Sequence, residues 1–222
     1  FACGCGGFNV PYHTCGHRAC NQCGRGDAHA WAQRQENKLL AVPYFLVTFT
    51  VPEELRAVIR AQPKEFYHAL FSQSAGALAD VALSKLGVEL GFTGVLHTWT
   101  RQLLYHPHVH YLVPGGGLSP DGLRWKRVKD PQFFLSQRVL AARFKNRLRR
   151  ALAEQHPELR RAIPARAWRV DWVVDVQPVG RGQTALRYLA AYVQKTALSA
   201  ARLTGCDERT VTFTHQDRAT GQ

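Results

Sequence analysis

Three histidines stand within five positions of the stretch HPHVHYLVPGGG, residues 106–117. Its β-branched and aromatic residues predict a strand, and alternate residues of a strand face the same side, so His108 and His110 should point together. Two adjacent imidazoles can hold a divalent cation, and they suit manganese, zinc or iron better than magnesium. The alternative is a pair of half-buried histidines that only make hydrogen bonds. We treat His106 as flanking, because Pro107 is expected to break the strand.

A third metal ligand is not evident from the spacing. Gln102 follows the preceding predicted strand, and Gln194 lies beside a pair of tyrosines on a predicted helix. These two glutamines rank level as candidates. His97 ranks behind them, because an ordinary strand histidine also explains its position.

Tyr188 and Tyr192 are four residues apart in a stretch with helical periodicity, so they stack on one helix face, and Lys195 follows on the same stripe. Tyrosines at this spacing are more often core residues than nucleophiles. Beside a metal site in a basic protein, however, they favour phosphoryl transfer. A phenol has an ordinary pKa near 10, so something must lower that pKa or take the phenolic proton before it becomes an effective nucleophile.

The chain is strongly basic, with 29 Lys and Arg against 16 Asp and Glu and a net charge of +13. This imbalance makes nucleic acid the leading partner and an anionic membrane surface the weaker one. Part of the charge is concentrated on one predicted helix, at Arg143, Lys145, Arg147, Arg149 and Arg150. These side chains could neutralise the backbone of single-stranded DNA, although a solvated helix face is the commoner meaning of such a run.

No run approaches the roughly 18 to 20 apolar residues that span a bilayer, and no signal segment is evident, so we expect a cytoplasmic protein. The chain contains no methionine and opens inside a cysteine cluster, and we expect it to be a piece of a longer product.

Five of the six cysteines lie in the first 23 residues, namely Cys3, Cys5, Cys15, Cys20 and Cys23. Thiolates crowded in this way predict a structural zinc site that stabilises a segment too short for its own core. His13 or His17 could replace one cysteine, and the spacing does not decide which four ligands bind. A redox pair is the alternative for Cys20 and Cys23. We place this zinc segment at residues 1–35 and a larger domain at residues 36–222.

Hydrophobic periodicity predicts strands that alternate with helices in the larger domain. The predicted strands cover residues 44–52, 91–100, 108–113, 167–179 and 209–217, and the predicted helices cover 28–40, 52–61, 64–87, 131–156 and 184–203. Asp121 and Gly122 predict a tight hairpin turn. The expected class is α+β, an antiparallel-rich sheet with helices on one face.

Six motifs together resemble the two-tyrosine rolling-circle transposases of the insertion-sequence-91 group, which belong to the histidine-hydrophobic-histidine single-strand endonucleases. They are TCGHRACNQC, VPYFLVTFTVP, GVLHTW, HPHVHYLVPGGG, LRYLAAYVQKTALS and VTFTHQD, in this order. Two positions depart from the family pattern. Ala19 stands where a histidine is usual, and Cys3 and Cys5 replace a wider cysteine pair, so the zinc ligand set stays open.

The resemblance implies that His108 and His110 bind magnesium or manganese. It also implies that Tyr188 and Tyr192 are nucleophiles that form 5′-phosphotyrosine esters with single-stranded DNA at transposon ends and targets, and that Lys195 assists them. The oligomeric state stays open. A plasmid replication initiator or relaxase of the same superfamily is one alternative, and a zinc-ribbon DNA-binding remnant without catalysis is another.

Overall fold

The computed structural model describes residues 24–100, 102–193 and 202–214. Its helices are α1 (Gly24–Glu36), α2 (Arg56–Ala61), α3 (Pro63–Leu86), α4 (Gln137–Gln155), α5 (Pro157–Ala162) and α6 (Gln183–Val193), with 3-10 turns at Glu53–Leu55 and Ala165–Trp168. Its strands are β1 (Tyr44–Thr50), β2 (Thr93–Trp99), β3 (Tyr105–Pro114), β4 (Gly116–Leu118), β5 (Trp125–Arg127), β6 (Val174–Pro178), β7 (Leu203–Cys206) and β8 (Val211–Phe213).

Four strands form an antiparallel sheet in the order β2-β3-β1-β6, and β4-β5 and β7-β8 each form a separate two-stranded hairpin. In the sheet, Thr48 pairs with His110 and Thr50 with His108 across β1 and β3, while His97 pairs with His108 across β2 and β3. The pairing therefore brings the three motif strands side by side.

The two faces of the sheet are covered by different helices. Alternate residues such as Phe49 and Val109 join α3 and α4 in the larger core. Residues that face the other side of the sheet, such as Leu112, pack with Leu186 and Leu189 of α6 in a second cluster. The predicted α+β class with an antiparallel sheet is confirmed, but the helices cover both faces of the sheet rather than one.

Several predicted elements have different bounds in the structure. The helix expected from residue 131 begins at Gln137, because Ser136 caps it and Phe134 and Leu135 are buried in the core instead. The long strand expected at 167–179 is a 3-10 turn and a loop before β6 begins at Val174.

In that loop, the rings of Trp168 and Trp172 stack at 5.4 Å, and Trp172 Nε1 donates to the carbonyl of Ala167. The aromatic content that indicated a strand therefore stabilises an irregular segment.

The segment Leu203–Cys206 begins where a predicted helix was expected to end, and it forms a strand paired with β8. Within the described residues, no helix is long and apolar enough to cross a membrane.

Strand β3 runs through Pro107 rather than breaking there. His97 pairs with His108 and Trp99 with Tyr105, so one residue of β2 faces two residues of β3. Such a bulge leaves one residue outside the ladder, and a proline, which has no N–H to donate, is tolerated there. The bulge is the reason that His106 remains on the strand.

Gly94 makes room for the buried ring that ties the sheet to α3. Tyr111, opposite Gly94 in the register, donates its hydroxyl to the carbonyl of Phe71 at 2.9 Å and shares a 2.7 Å hydrogen bond with Ser74. A Cβ on Gly94 would lie only 2.6 Å from the Tyr111 ring and 2.7 Å from the ring of Phe71. The close approach therefore requires glycine.

We predict that Gly94→Ala lowers the free energy of unfolding by about 1 to 3 kcal/mol, because both rings must move in a filled core. Urea denaturation followed by circular dichroism measures this loss. Gly91→Ala is the matched control, since a Cβ there meets nothing within 4 Å. Equal effects of the two substitutions would contradict the packing described for Gly94.

Candidate metal centre

Three histidines converge on the sheet face that α6 covers. One ring nitrogen from each of His97, His108 and His110 lies within 4.8 Å of the other two. His97 is 2% exposed and His110 7% exposed, and His108 is partly buried. The ring centroids of His97 and His110 are 4.5 Å apart, and those of His108 and His110 are 4.8 Å apart. The sheet register therefore builds a compact imidazole trio.

Hydrogen bonds orient two of these rings. His108 Nδ1 lies 2.6 Å from the carbonyl oxygen of His106. A carbonyl only accepts, so this nitrogen carries the proton and Nε2 holds the free lone pair. His110 Nδ1 lies 2.8 Å from Thr48 Oγ1, and its buried Nε2 has no hydrogen-bond partner among the described residues. His108 thus presents Nε2 in the form that binds a metal. His110 does the same in the tautomer whose Nδ1 donates to Thr48 Oγ1, so each ring has its other nitrogen held by an outer partner.

Burial keeps the three imidazoles neutral at pH 7. It lowers the pKa of His97 to about 2 and that of His110 to about 3, and the neighbouring histidines add to both shifts. The pKa of His108 is also lowered, mainly by burial. Neutral imidazole is the form that binds metal ions, so the trio fits a divalent transition metal.

His97, the candidate that ranked last from the sequence, is the residue that the structure brings beside His108 and His110. Gln102 is exposed at the tip of the β2-β3 hairpin, and at about 3.3 Å per strand residue the tip is on the order of 10 Å from the His97–His108 pair. Gln194 lies outside the described residues. The sequence placed His97 on a predicted strand. It did not give the register of β2 against β3, which is what brings His97 opposite His108.

Tyr188 of α6 lies against the same trio. Its ring centroid is 6.1 Å from that of His110 and 6.4 Å from that of His97, and the side chain is 39% exposed. Tyr192 is one turn further along α6, and its side chain is outside the described part of the chain, as is Lys195. The five cysteines predicted to bind zinc also lie outside the described residues.

The cationic residues of α4 are on the other side of the sheet. Arg143 and Arg147 both bind the carboxylate of Asp80 on α3, at 2.5 and 2.7 Å. Arg150 pairs with Glu154 one turn along α4. Since α4 packs with the core face, these side chains, with Lys145 and Arg149, do not line the histidine trio. A role of α4 in binding DNA stays a prediction.

Comparison with known proteins gives the family. Residues 91–222 match the family model described as "Putative transposase", and residues 1–51 match the "Transposase zinc-binding domain". The first match alone covers more than half of the chain. The chain belongs to this transposase family. The resemblance to the insertion-sequence-91 transposases with a zinc-binding amino-terminal region is confirmed.

Two curated relatives agree with this assignment. The chain is 35% identical to "Putative transposase y4qJ" of Sinorhizobium fredii, covering 96% of this chain and 58% of the relative. It is 29% identical to the transposase for insertion sequence element IS801 of Pseudomonas savastanoi pv. phaseolicola, covering 97% of this chain and 56% of the relative. The chain thus spans less than two thirds of the length of either relative.

Two solved structures of the conjugative relaxase TrwC in complex with oriT DNA give weaker matches. The metal-bound structure matches 51% of this chain and 44% of the relaxase at 15% identity, with a TM-score of 0.36. The copper-bound structure matches 49% and 42% at 14% identity, with a TM-score of 0.31. A likeness at this level supports no conclusion about the function of this chain.

The lowered histidine pKa values predict acid sensitivity in the absence of metal. The folded pKa values of His97 and His110 are about 2 and 3, below the value near 6.5 of an unfolded chain, so between these limits the unfolded state binds more protons. Stability therefore falls as the pH falls below 6.5. From pH 7.5 to pH 5 the loss is at most about 2 kcal/mol per histidine.

Urea unfolding in chelator at the two pH values measures the loss. The double variant His97→Gln with His110→Gln should show a flatter dependence on pH. A wild-type stability that does not change between pH 7.5 and pH 5 would mean that these imidazoles are not buried as neutral groups.

Thr48 tests the orientation of the trio separately. Thr48→Val removes the hydroxyl that holds His110 Nδ1, and loss of such an outer partner typically weakens metal binding by about 10- to 100-fold. Calorimetric titration with manganese measures the affinity. Thr93→Val, on β2 opposite Leu112, is the control and should bind manganese as the wild type does. Equal manganese affinity of the two variants would contradict the orienting role of the Thr48 hydroxyl.

Proposed function

We propose that this transposase is a metal-dependent single-stranded DNA endonuclease and strand transferase that acts through a 5′-phosphotyrosine intermediate in rolling-circle transposition. The observation that carries the proposal is the location of Tyr188, whose ring lies beside His97 and His110. A potential nucleophile and a three-imidazole metal site thus share one partly open face. Family membership supports the same function.

In the proposed reaction, the Tyr188 oxygen attacks the scissile phosphorus and loses its phenolic proton. A bond between that oxygen and phosphorus forms, and the bond from phosphorus to the 3′-oxygen of the preceding nucleotide breaks. The leaving 3′-oxygen takes up a proton. A magnesium or manganese ion held by His97, His108 and His110 would supply charge neutralisation on the phosphate. Because the tyrosine ester conserves the bond energy, a 3′-hydroxyl can reverse the step without ATP.

The two-tyrosine arrangement extends this chemistry. Tyr192, one helical turn after Tyr188, is the proposed second nucleophile, so that one site could hold one strand end while it cleaves another. Lys195 is proposed to stabilise negative charge on the phosphate or on a phenolate. Gln102 and Gln194 are not needed for the trio. Both tyrosines would act on single-stranded DNA at transposon ends and targets.

The amino-terminal cysteines complete the proposal. We assign residues 1–35 to a zinc-binding segment held by four of the ligands named above, and residues 36–222 to the endonuclease domain. The family match at residues 1–51 supports zinc binding in this region. The protein is proposed to act on DNA in the bacterial cytoplasm, with α4 as an additional DNA-binding surface on the opposite side of the sheet.

A labelled-oligonucleotide assay tests the proposed reaction. The protein is incubated with single strands that carry candidate element ends, labelled at either end, with manganese or with chelator. We expect the 3′-side fragment to migrate as a protein adduct only with metal. The double variant Tyr188→Phe with Tyr192→Phe should lower the adduct by roughly a hundredfold or more, because it removes both nucleophiles.

Tyr67→Phe is the matched control, since Tyr67 lies on α3 and its hydroxyl bonds Tyr105. It should leave the adduct at the wild-type level. Salt-sensitive DNA binding without any adduct on verified ends would reduce the protein to a DNA-binding remnant. An adduct that persists in the double tyrosine variant would require another nucleophile.

A further inference from the structure

Arg56 and His106 form a donor pair at the edge of the histidine trio. Arg56 Nη2 lies 2.9 Å from His106 Nδ1. A guanidinium only donates hydrogen bonds, so Nδ1 accepts and the ring carries its proton on Nε2. His106 is next to the trio, with its ring centroid 5.4 Å from that of His108. The pair therefore places an imidazole N–H donor next to the trio.

The pair and the tyrosine adjoin different members of the trio. The ring of Tyr188 contacts His97 and His110, which form one edge of the triangle of imidazoles. The ring of His106 contacts His108, the remaining corner. A phosphate bound at the trio would thus have the phenol near His97 and His110, and the Arg56–His106 pair near His108.

This edge also has positive charge to spare. The Arg56 side chain is 34% exposed, and its ion pair with Glu53 is long, at 3.8 Å. Arg60, one turn further along α2, is instead held over the ring of Tyr105. Guanidinium groups with unused N–H donors favour phosphate oxygens as partners. The chemistry of the edge is that of an anion site rather than a second metal site.

We propose that Arg56 and His106 bind the terminal phosphodiester of the strand that leaves with a 3′-hydroxyl. This inference rests on the proposed function, because in-line displacement places the leaving oxygen opposite the attacking one. The pair then retains the 3′-hydroxyl end after cleavage. For rejoining, that 3′-oxygen attacks the phosphotyrosine, the bond from phosphorus to the tyrosine oxygen breaks, and the phenol regains a proton. The site therefore serves strand transfer as much as cleavage.

The test measures binding of one defined strand by fluorescence anisotropy in manganese, in the Tyr188→Phe with Tyr192→Phe background. The probe is the 12-nucleotide strand immediately 5′ of the mapped cleavage position, ending in a 3′-hydroxyl. A second probe carries an uncharged methylphosphonate in place of its last phosphodiester. We expect the methylphosphonate to weaken binding about tenfold, and Arg56→Gln to abolish this difference while it weakens binding of the natural strand about tenfold.

Arg60→Gln is the matched control, because it removes the same charge from the same helix and should keep the methylphosphonate effect. Thermal unfolding of Arg56→Gln, Arg56→Lys and His106→Gln is measured alongside binding. Unchanged unfolding temperatures would show that a loss of binding is not a folding defect. Manganese affinity should be unchanged in all of them. A loss of manganese affinity in Arg56→Gln with the methylphosphonate effect intact would overturn the proposal, since Arg56 would then act only by orienting His108 through His106.

The proposed function fails separately, by the absence of an adduct in the wild type. In that case the same pair of probes is made with randomised 12-nucleotide strands. A tenfold methylphosphonate effect that depends on Arg56 would still support the anion site, and no effect would overturn it.

Discussion

The register between β2, β3 and β1 is the constraint on which the site depends. Side chains alternate along each strand, so a slip of one residue would move a whole set to the other face of the sheet. With His97 opposite His108 and Thr48 opposite His110, the imidazoles and their hydroxyl partner share the α6 face. The intervening residues Val109 and Tyr111 are completely buried in the larger core. Burial of the apolar set therefore fixes the location of the polar set.

Helix α6 carries both the leucines that pack against the sheet and the tyrosine that lies beside the histidine trio. Leu186 and Leu189 are buried against the sheet, and burial of such side chains contributes about 1.5 to 3 kcal/mol each. Tyr188, between them in sequence, projects at the margin of that contact and keeps part of its surface open. The two leucines thus set the rotation of the helix, and that rotation places the phenol beside the imidazoles. Neutral imidazoles cost stability in acid, which a bound metal offsets by mass action.

The sequence predicted the parts of the site that depend on local periodicity. His108 and His110 face one side because they are two residues apart on a strand, and the helix of Tyr188 follows from its apolar spacing. His97 was undervalued because its contact with the pair depends on strand pairing, which no local pattern contains. The bulge at Pro107 was missed for a related reason, since a proline that would break a regular ladder is tolerated where one residue stays unpaired. Local sequence patterns also could not predict the ion pairs of Arg143 and Arg147 with Asp80, because Asp80 is more than sixty residues away.

The arginines on the two sides of the sheet differ in their partners. Arg143 and Arg147 on the far side of the sheet share one carboxylate, so part of the positive run on α4 is used to join α3 to α4. Arg56, in contrast, is held by an imidazole that remains neutral when it accepts a hydrogen bond, and the guanidinium keeps its charge available at the edge of the trio. Formal charge along the sequence therefore indicates free cationic surface less well than the partner of each arginine does. By that criterion the edge of β3 beside His106, rather than the face of α4, is the cationic surface that adjoins the proposed chemistry.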